Sequence, residues 1–221
     1  MPLPAGAIPG IDVSHYQAVV DWATVAAGGV RFSFAKASEG PSVTDQYFLD
    51  NWNGMKAAGL LRGAYHFFHP SADPQAQAKN FLHRLAAANG GSPLLAPGDL
   101  PAALDIEVTD GASPATLLAG ASSWLATVEA ATGKHPIVYS YPSFWKSTLG
   151  NPGALSGYHL WIAHLNVPTP MVPGGWPGWV FWQFDKQQVP GVPSPVTDLN
   201  AFNGTYSDLQ NLAQYMGDCS K

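Results

Sequence analysis

In the segment PAALDIEV, residues 101–108, two carboxylic acids interrupt a run otherwise suited to burial: Asp105 and Glu107. The chain has only three glutamates, and an unpaired buried carboxylate is strongly disfavoured. A partner or a reaction must therefore account for this one. On a strand, an i, i+2 spacing turns both acids to one face and Ile106 to the other. Two carboxyls crowded on one face cannot both ionise cheaply, so at least one keeps its proton to higher pH. A carboxyl protonated near neutrality can release a poor leaving group such as a sugar hydroxyl, while ionised neighbours offset the charge of an oxocarbenium-like transition state. The chemistry this spacing suits is glycoside hydrolysis.

Other residues could complete such a site. Asp12 in GIDVS and Asp198 in TDLN are further acids at the ends of apolar runs. Tyr65, Trp161 and Trp182 offer aromatic surface for sugar faces, and Gln183 and His66 offer polar contacts. Each has a plainer reading: Asp12 can cap a turn, Asp198 can close an Asx turn, and single tryptophans usually pack in cores. Lys36 and Glu39 in FAKASEG either pair structurally or line a cleft. His66 and His69, without a placed third ligand, do not make a metal site, and neither a metal nor a cofactor is expected.

The elements that must position these residues follow a regular alternation. Strand-like runs fall at 8–15, 30–38, 61–69, 101–108, 135–142, 159–165, 178–184 and 195–202. Helix-like stretches fall at 21–27, 44–58, 73–88, 113–132 and 207–216, with Thr44, Asp73-Pro74 and Ser113-Pro114 as starts and Gly59 and Gly133 as stops. Eight strands of parallel type, five with helical connections and three nearly without, predict an α/β fold. It is an irregular barrel, (β/α)5(β)3, thinned on one side, with an open α/β sheet as the competing arrangement. All four acids then fall at strand ends, where barrel enzymes build their sites.

Composition narrows the function further. The 221 residues fit one domain, with a motif-bearing core at about 8–216. Net charge is −5 with no basic run, which gives nucleic-acid binding little support, and no nucleic-acid partner is expected. The one cysteine, Cys219, excludes an internal disulfide and a cysteine-based zinc site, and reads as an incidental thiol. No stretch reaches the roughly 18 apolar residues of a membrane helix. The start, MPLPAGAIPG, lacks the charged and apolar regions of a signal peptide, so export would follow a removed leader or another route. The loop around Trp176 and Trp179 either packs internally or meets a partner.

As an ordered set, GIDVSHYQ, Asp21-Trp22, FAKASEG, AGLLRGAYHFFHP, LDIE, TGKHPIVYSYPSFW, LWIAH, FWQF and VTDLNAF resemble the muramidases of glycoside hydrolase family 25, the Chalaropsis-type lysozymes. The resemblance spans residues 10 to about 203. It implies the five-plus-three barrel and hydrolysis of the β-1,4 bond from N-acetylmuramic acid to N-acetylglucosamine in peptidoglycan; retention is the expected outcome, with inversion left open by the two-residue spacing of the acids. It implies Glu107 as general acid/base and Asp105 as second catalytic carboxylate, whether attacking the anomeric carbon or steadying the substrate's acetamide. Asp12 and Asp198 would orient these groups, and Tyr65, Trp182 and Gln183 would line the cleft. Peptidoglycan strands are the implied partner, and a monomer acting outside the cell or at the bacterial wall, as a secreted enzyme or phage lysin, is the expectation. Leu165 departs from the family pattern, which often has an aromatic there, and Ser33 interrupts an otherwise apolar strand. A chitinase-like barrel would need aspartates at 103 and 100, which are Ala103 and Leu100. A catalytically inactive carbohydrate-binding barrel is the alternative from another class, and it ordinarily lacks the acid that Glu107 supplies here.

Overall fold

The computed structural model describes residues 1–214. Nine strands form one sheet: β1 (Ile8–Val13), β2 (Phe32–Glu39), β3 (Val43–Thr44), β4 (Leu61–Phe67), β5 (Ala103–Asp105), β6 (Ile137–Ser140), β7 (His159–Ala163), β8 (Phe181–Gln187) and β9 (Thr197–Phe202). Their order is β1-β9-β8-β7-β6-β5-β4-β2-β3, and a parallel β1–β2 pairing closes eight of them into a barrel. Helices α1 (Trp22–Ala27), α2 (Phe48–Ala57), α3 (Pro74–Ala88) and α4 (Pro114–Thr132) pack outside, and α5 (Tyr206–Gln214) follows the last strand.

Strand alternation divides the core in two. Inward-facing Phe32, Phe34, Ala103, Ile137, Trp161, Phe181 and Phe202 fill the barrel. Outward-facing Ile11, Val13, Ala64, Leu104, Ile106, Val138, Ile162 and Ala201 pack against the helices. The interior is crowded enough to require glycine at two points. A Cβ on Gly63 would stand 2.2 Å from the Phe34 ring, and one on Gly10 2.3 Å from the Phe32 ring. Helix boundaries follow their local chemistry. Asp73 accepts from Gln75 N at 3.0 Å ahead of Pro74, Ser113 accepts from Thr116 N at 3.1 Å ahead of Pro114, and Gly133 ends α4 at φ 73°.

The structure corrects the sequence expectation in three places and settles one open alternative, the packing of Trp176. β9 runs antiparallel to both β8 and β1, because the short β8–β9 connection makes a hairpin rather than a crossover. The fifth unit, after β6, carries only a five-residue π turn, Phe144–Thr148, in place of a full helix. α2 begins at Phe48, not after Thr44: Thr44 pairs with Ser38 in the two-residue β3, and Asp45 holds the turn by accepting from Tyr47 N at 2.9 Å. Trp176 packs internally on Trp145, centroids 5.0 Å apart, and donates to Tyr158 O at 2.8 Å. Residues 215–216 of the expected last helix, and Cys219, lie outside the described residues.

Candidate active site

The upper end of the barrel opens into a cavity of about 260 Å³. Asp12, Tyr65, Asp105, Glu107, Trp161, Gln183 and Asp198 line it, so the structure brings together all but two of the candidate residues. The exceptions are His66 and Trp182, each adjacent in sequence to a residue that does face the cavity. Neighbours on a strand point to opposite faces, so Tyr65 and His66, or Trp182 and Gln183, cannot both face inward. His66 is fully buried outside the barrel, 2.8 Å from Ser38 Oγ and stacked on Trp124. Burial pushes its pKa down to about 4, so it is a neutral core imidazole. Trp182 is 2% exposed and donates to His164 O at 2.9 Å from the outer core.

Asp12 is held by an orienting chain that begins in the core. Trp161 Nε1, which can only donate, donates to Asn200 Oδ1 at 2.8 Å. That fixes the amide so that Asn200 Nδ2 donates to Asp12 Oδ2 at 2.7 Å. Tyr139 OH donates to Gln183 Oε1 at 3.1 Å, turning Gln183 Nε2 to donate to the same oxygen at 2.9 Å. Across the closing seam Asp12 stands directly opposite Asp198. Burial, then the Asp198 charge, pushes Asp12 up to about 8, against the lowering effect of both amides and of Lys186.

Asp105 ends β5 and Glu107 lies just beyond it, with Ile106 turned outward as the spacing requires. Burial first, then the neighbouring Glu107 charge, holds Asp105 well above the usual carboxylate range. Its Oδ1 has no hydrogen-bond partner among the described residues. Burial also raises Glu107, the more exposed of the pair, while Lys186 acts to lower it. The two titrate as a unit that retains a proton to higher pH than isolated carboxyls would. Burial within the ring of acids pushes the Tyr65 and Tyr139 phenols up as well, so both stay neutral.

Sequence reasoning missed several residues of the site. Tyr139 and Asn200 lie at inward positions of β6 and β9, and strand parity could have found them. Lys186 could not be found that way: on strict alternation it would follow Trp182 and Phe184 outward. A β-bulge between Gln183 and Asp185 re-aims it, so that Lys186 pairs with Asp198 at 3.0 Å. A second bulge, between Lys36 and Ser38, lets Lys36 and Glu39 both turn inward. They form an ion pair at 2.6 Å while Lys36 also lines the cavity. Glu39 and Asp110 flank His69 at 3.0 and 2.7 Å. Burial works to lower the His69 pKa, but these two contacts outweigh it and raise it. Among the described residues no group of three or more His, Cys, Asp or Glu is placed to hold a metal ion.

A closed barrel whose inward strand ends converge on paired, proton-retaining carboxyls, with aromatic and amide walls, is the arrangement of a glycoside-cleaving enzyme. The model for glycosyl hydrolases family 25 matches residues 11–192, and the chain belongs to that family. It is 42% identical over 209 residues to YegX of Escherichia coli K12, covering 92% of this chain and 72% of that protein. It is 34% identical over 221 residues to the N,O-diacetylmuramidase of Chalaropsis sp., covering 93% of this chain and 99% of that protein. The bacterial lysozyme of Streptomyces coelicolor superposes with a TM-score of 0.85 at 34% identity, over 95% of this chain and 98% of that one. The chain is thus a glycoside hydrolase of the lysozyme type, acting on peptidoglycan.

Proposed function

We propose that the chain is an N-acetylmuramidase that cleaves the β-1,4 bond from N-acetylmuramic acid to N-acetylglucosamine, with retention at the anomeric carbon. The observation that carries this reading is the Asp105–Glu107 pair at the cavity floor, both acids raised by burial. In the free enzyme the deeper Asp105 is the better proton holder. A substrate that places its glycosidic oxygen against Glu107 and its anomeric carbon near Asp105 reverses that preference. Developing positive charge then favours ionised Asp105, and Glu107 carries the proton to the leaving oxygen. Glu107 is left ionised and can activate the water of the second half-reaction. Asp12 and Asp198, with Gln183 and Asn200, position the sugar and set the field, and Tyr65 and Trp161 supply its aromatic wall. The working form is a monomer acting at the bacterial wall outside the cytoplasm.

Digestion of purified peptidoglycan, followed by reduction and mass spectrometry of the products, tests this. The wild type yields muramic acid at the new reducing ends, and Glu107→Gln loses ~10²–10⁴ in kcat. New glucosamine reducing ends would show that the wrong bond had been chosen. For the stereochemistry, NMR of early products shows the β-anomer first; an initial α-anomer would overturn retention.

A further inference from the structure

The upper ends of β6 and β7 enclose a second groove, of about 420 Å³, walled by Tyr141, Lys146, His164, Leu165 and Met171. One of its wall residues, Tyr141, lies beside Glu107 of the acidic cavity. Ser140 Oγ donates to Ile106 O at 2.8 Å, so the residues that follow each of these, Tyr141 and Glu107, stand side by side at the top of the barrel. Tyr141 turns to the same side as Tyr139, and its phenol pKa is raised by partial burial and then by the Glu107 charge.

The two spaces differ in character. The acidic cavity holds four carboxyls, and both of its lysines are committed: Lys36 to Glu39 and Lys186 to Asp198. Among the described residues the groove has no carboxylate in its wall. Its one fixed charge is Lys146, exposed on the π turn, with no ion-pair partner among the described residues; its Nζ rests 3.4 Å from Met171 Sδ. Much of the remaining wall is apolar: Pro142, Ala163, Leu165 and Met171. His164 Nδ1 accepts from Met171 N at 3.0 Å and fixes the far side. The occupant that fits is partly apolar, ends in an anion, and is tethered to whatever occupies the acidic cavity. A bare sugar ring matches this poorly, since it wants polar partners all round its rim. A muramic acid residue matches it well, because its O3 carries a lactyl ether extended by a short peptide with free carboxylates.

We infer that this groove holds the lactyl-peptide arm of the muramic acid seated in the acidic cavity, with Lys146 pairing with a carboxylate of the peptide. The inference rests on the muramidase reading above. It makes the enzyme a reader of the peptide as well as of the sugar backbone.

The test compares kcat/KM on glycan strands that keep their peptides with kcat/KM on the same strands stripped by an amidase, for wild type, Lys146→Gln and Lys146→Glu. The wild-type ratio favours peptide-bearing strands, falls about five-fold in Lys146→Gln, as loss of one partly exposed ion pair allows, and falls further in Lys146→Glu. An unchanged ratio overturns the inference, and so does an equal loss on both strands, which would make the groove a sugar site. A wild type that cleaves neither strand removes the muramidase reading itself, and this inference with it.

Discussion

At the scale of single residues, the site works by setting charges against burial. Four acids share one cavity, and Lys186 is a counterweight that lowers the proton affinity of two of them, Asp12 and Glu107. The sign of its effect can be checked. Burial raises Glu107 and Lys186 lowers it, so Lys186→Met raises Glu107 further. A general acid is active while protonated, and kcat/KM falls as pH rises through its free-enzyme pKa. The alkaline limb of the kcat/KM profile of Lys186→Met therefore moves to higher pH. A limb that stays in place, or moves down, would mean that Lys186 does no more than hold Asp198.

At the scale of elements, the barrel interior transmits packing to chemistry. The Phe34 ring lies over Gly63 and stacks on Trp161 at 4.6 Å; Trp161 orients Asn200, and Asn200 holds Asp12. Gly63→Ala forces the Phe34 ring to move. The expected cost is ~1–3 kcal/mol of stability, seen as a lower urea midpoint, together with reduced activity because the orienting chain shifts with it. The sequence carried much of this layout, because strand periodicity and helix caps are local properties. Asp105, Ile106 and Glu107 alternate as their spacing demands. What was not legible depended on partners distant in the chain. His66 and Trp182 were grouped with the strand neighbours that do face the cavity, an error that parity alone corrects. The direction of β9 is different: Asp198 stands at the upper rim because it begins an antiparallel strand, not because it ends a parallel one. The bulges that aim Lys186 and Glu39 are set by strand register, which no single run of residues states.

At the scale of the whole molecule, the two ends of the barrel divide stability from function. The lower end is bolted by satisfied buried charges. Arg62 pairs with Asp99 at 2.7 Å and lies over the Trp52 ring, and Lys134 donates to the carbonyls of Ala96, Asp99 and Ala213. The upper end holds acids that burial penalises. Asp12 at about 8, against 3.8 when unperturbed, binds more protons folded than unfolded between those values, so its presence lowers stability as pH rises through that window. Asp12→Asn is accordingly expected to melt several degrees above the wild type at pH 8, with the gap closing towards pH 4, while losing activity. Calorimetry across that range checks both the sign and the window. The seam between β1 and β9 carries a last consequence. Asp12 and Asp198 face each other there although 185 residues lie between them in the chain. β1 leaves the ribosome long before β9 and waits for that partner. Until that strand docks, Asp12 lacks Asn200 and Asp198 both, and the growing chain cannot cut. The enzyme is in this way mute until β9 has been made, and acquires its activity when the barrel closes.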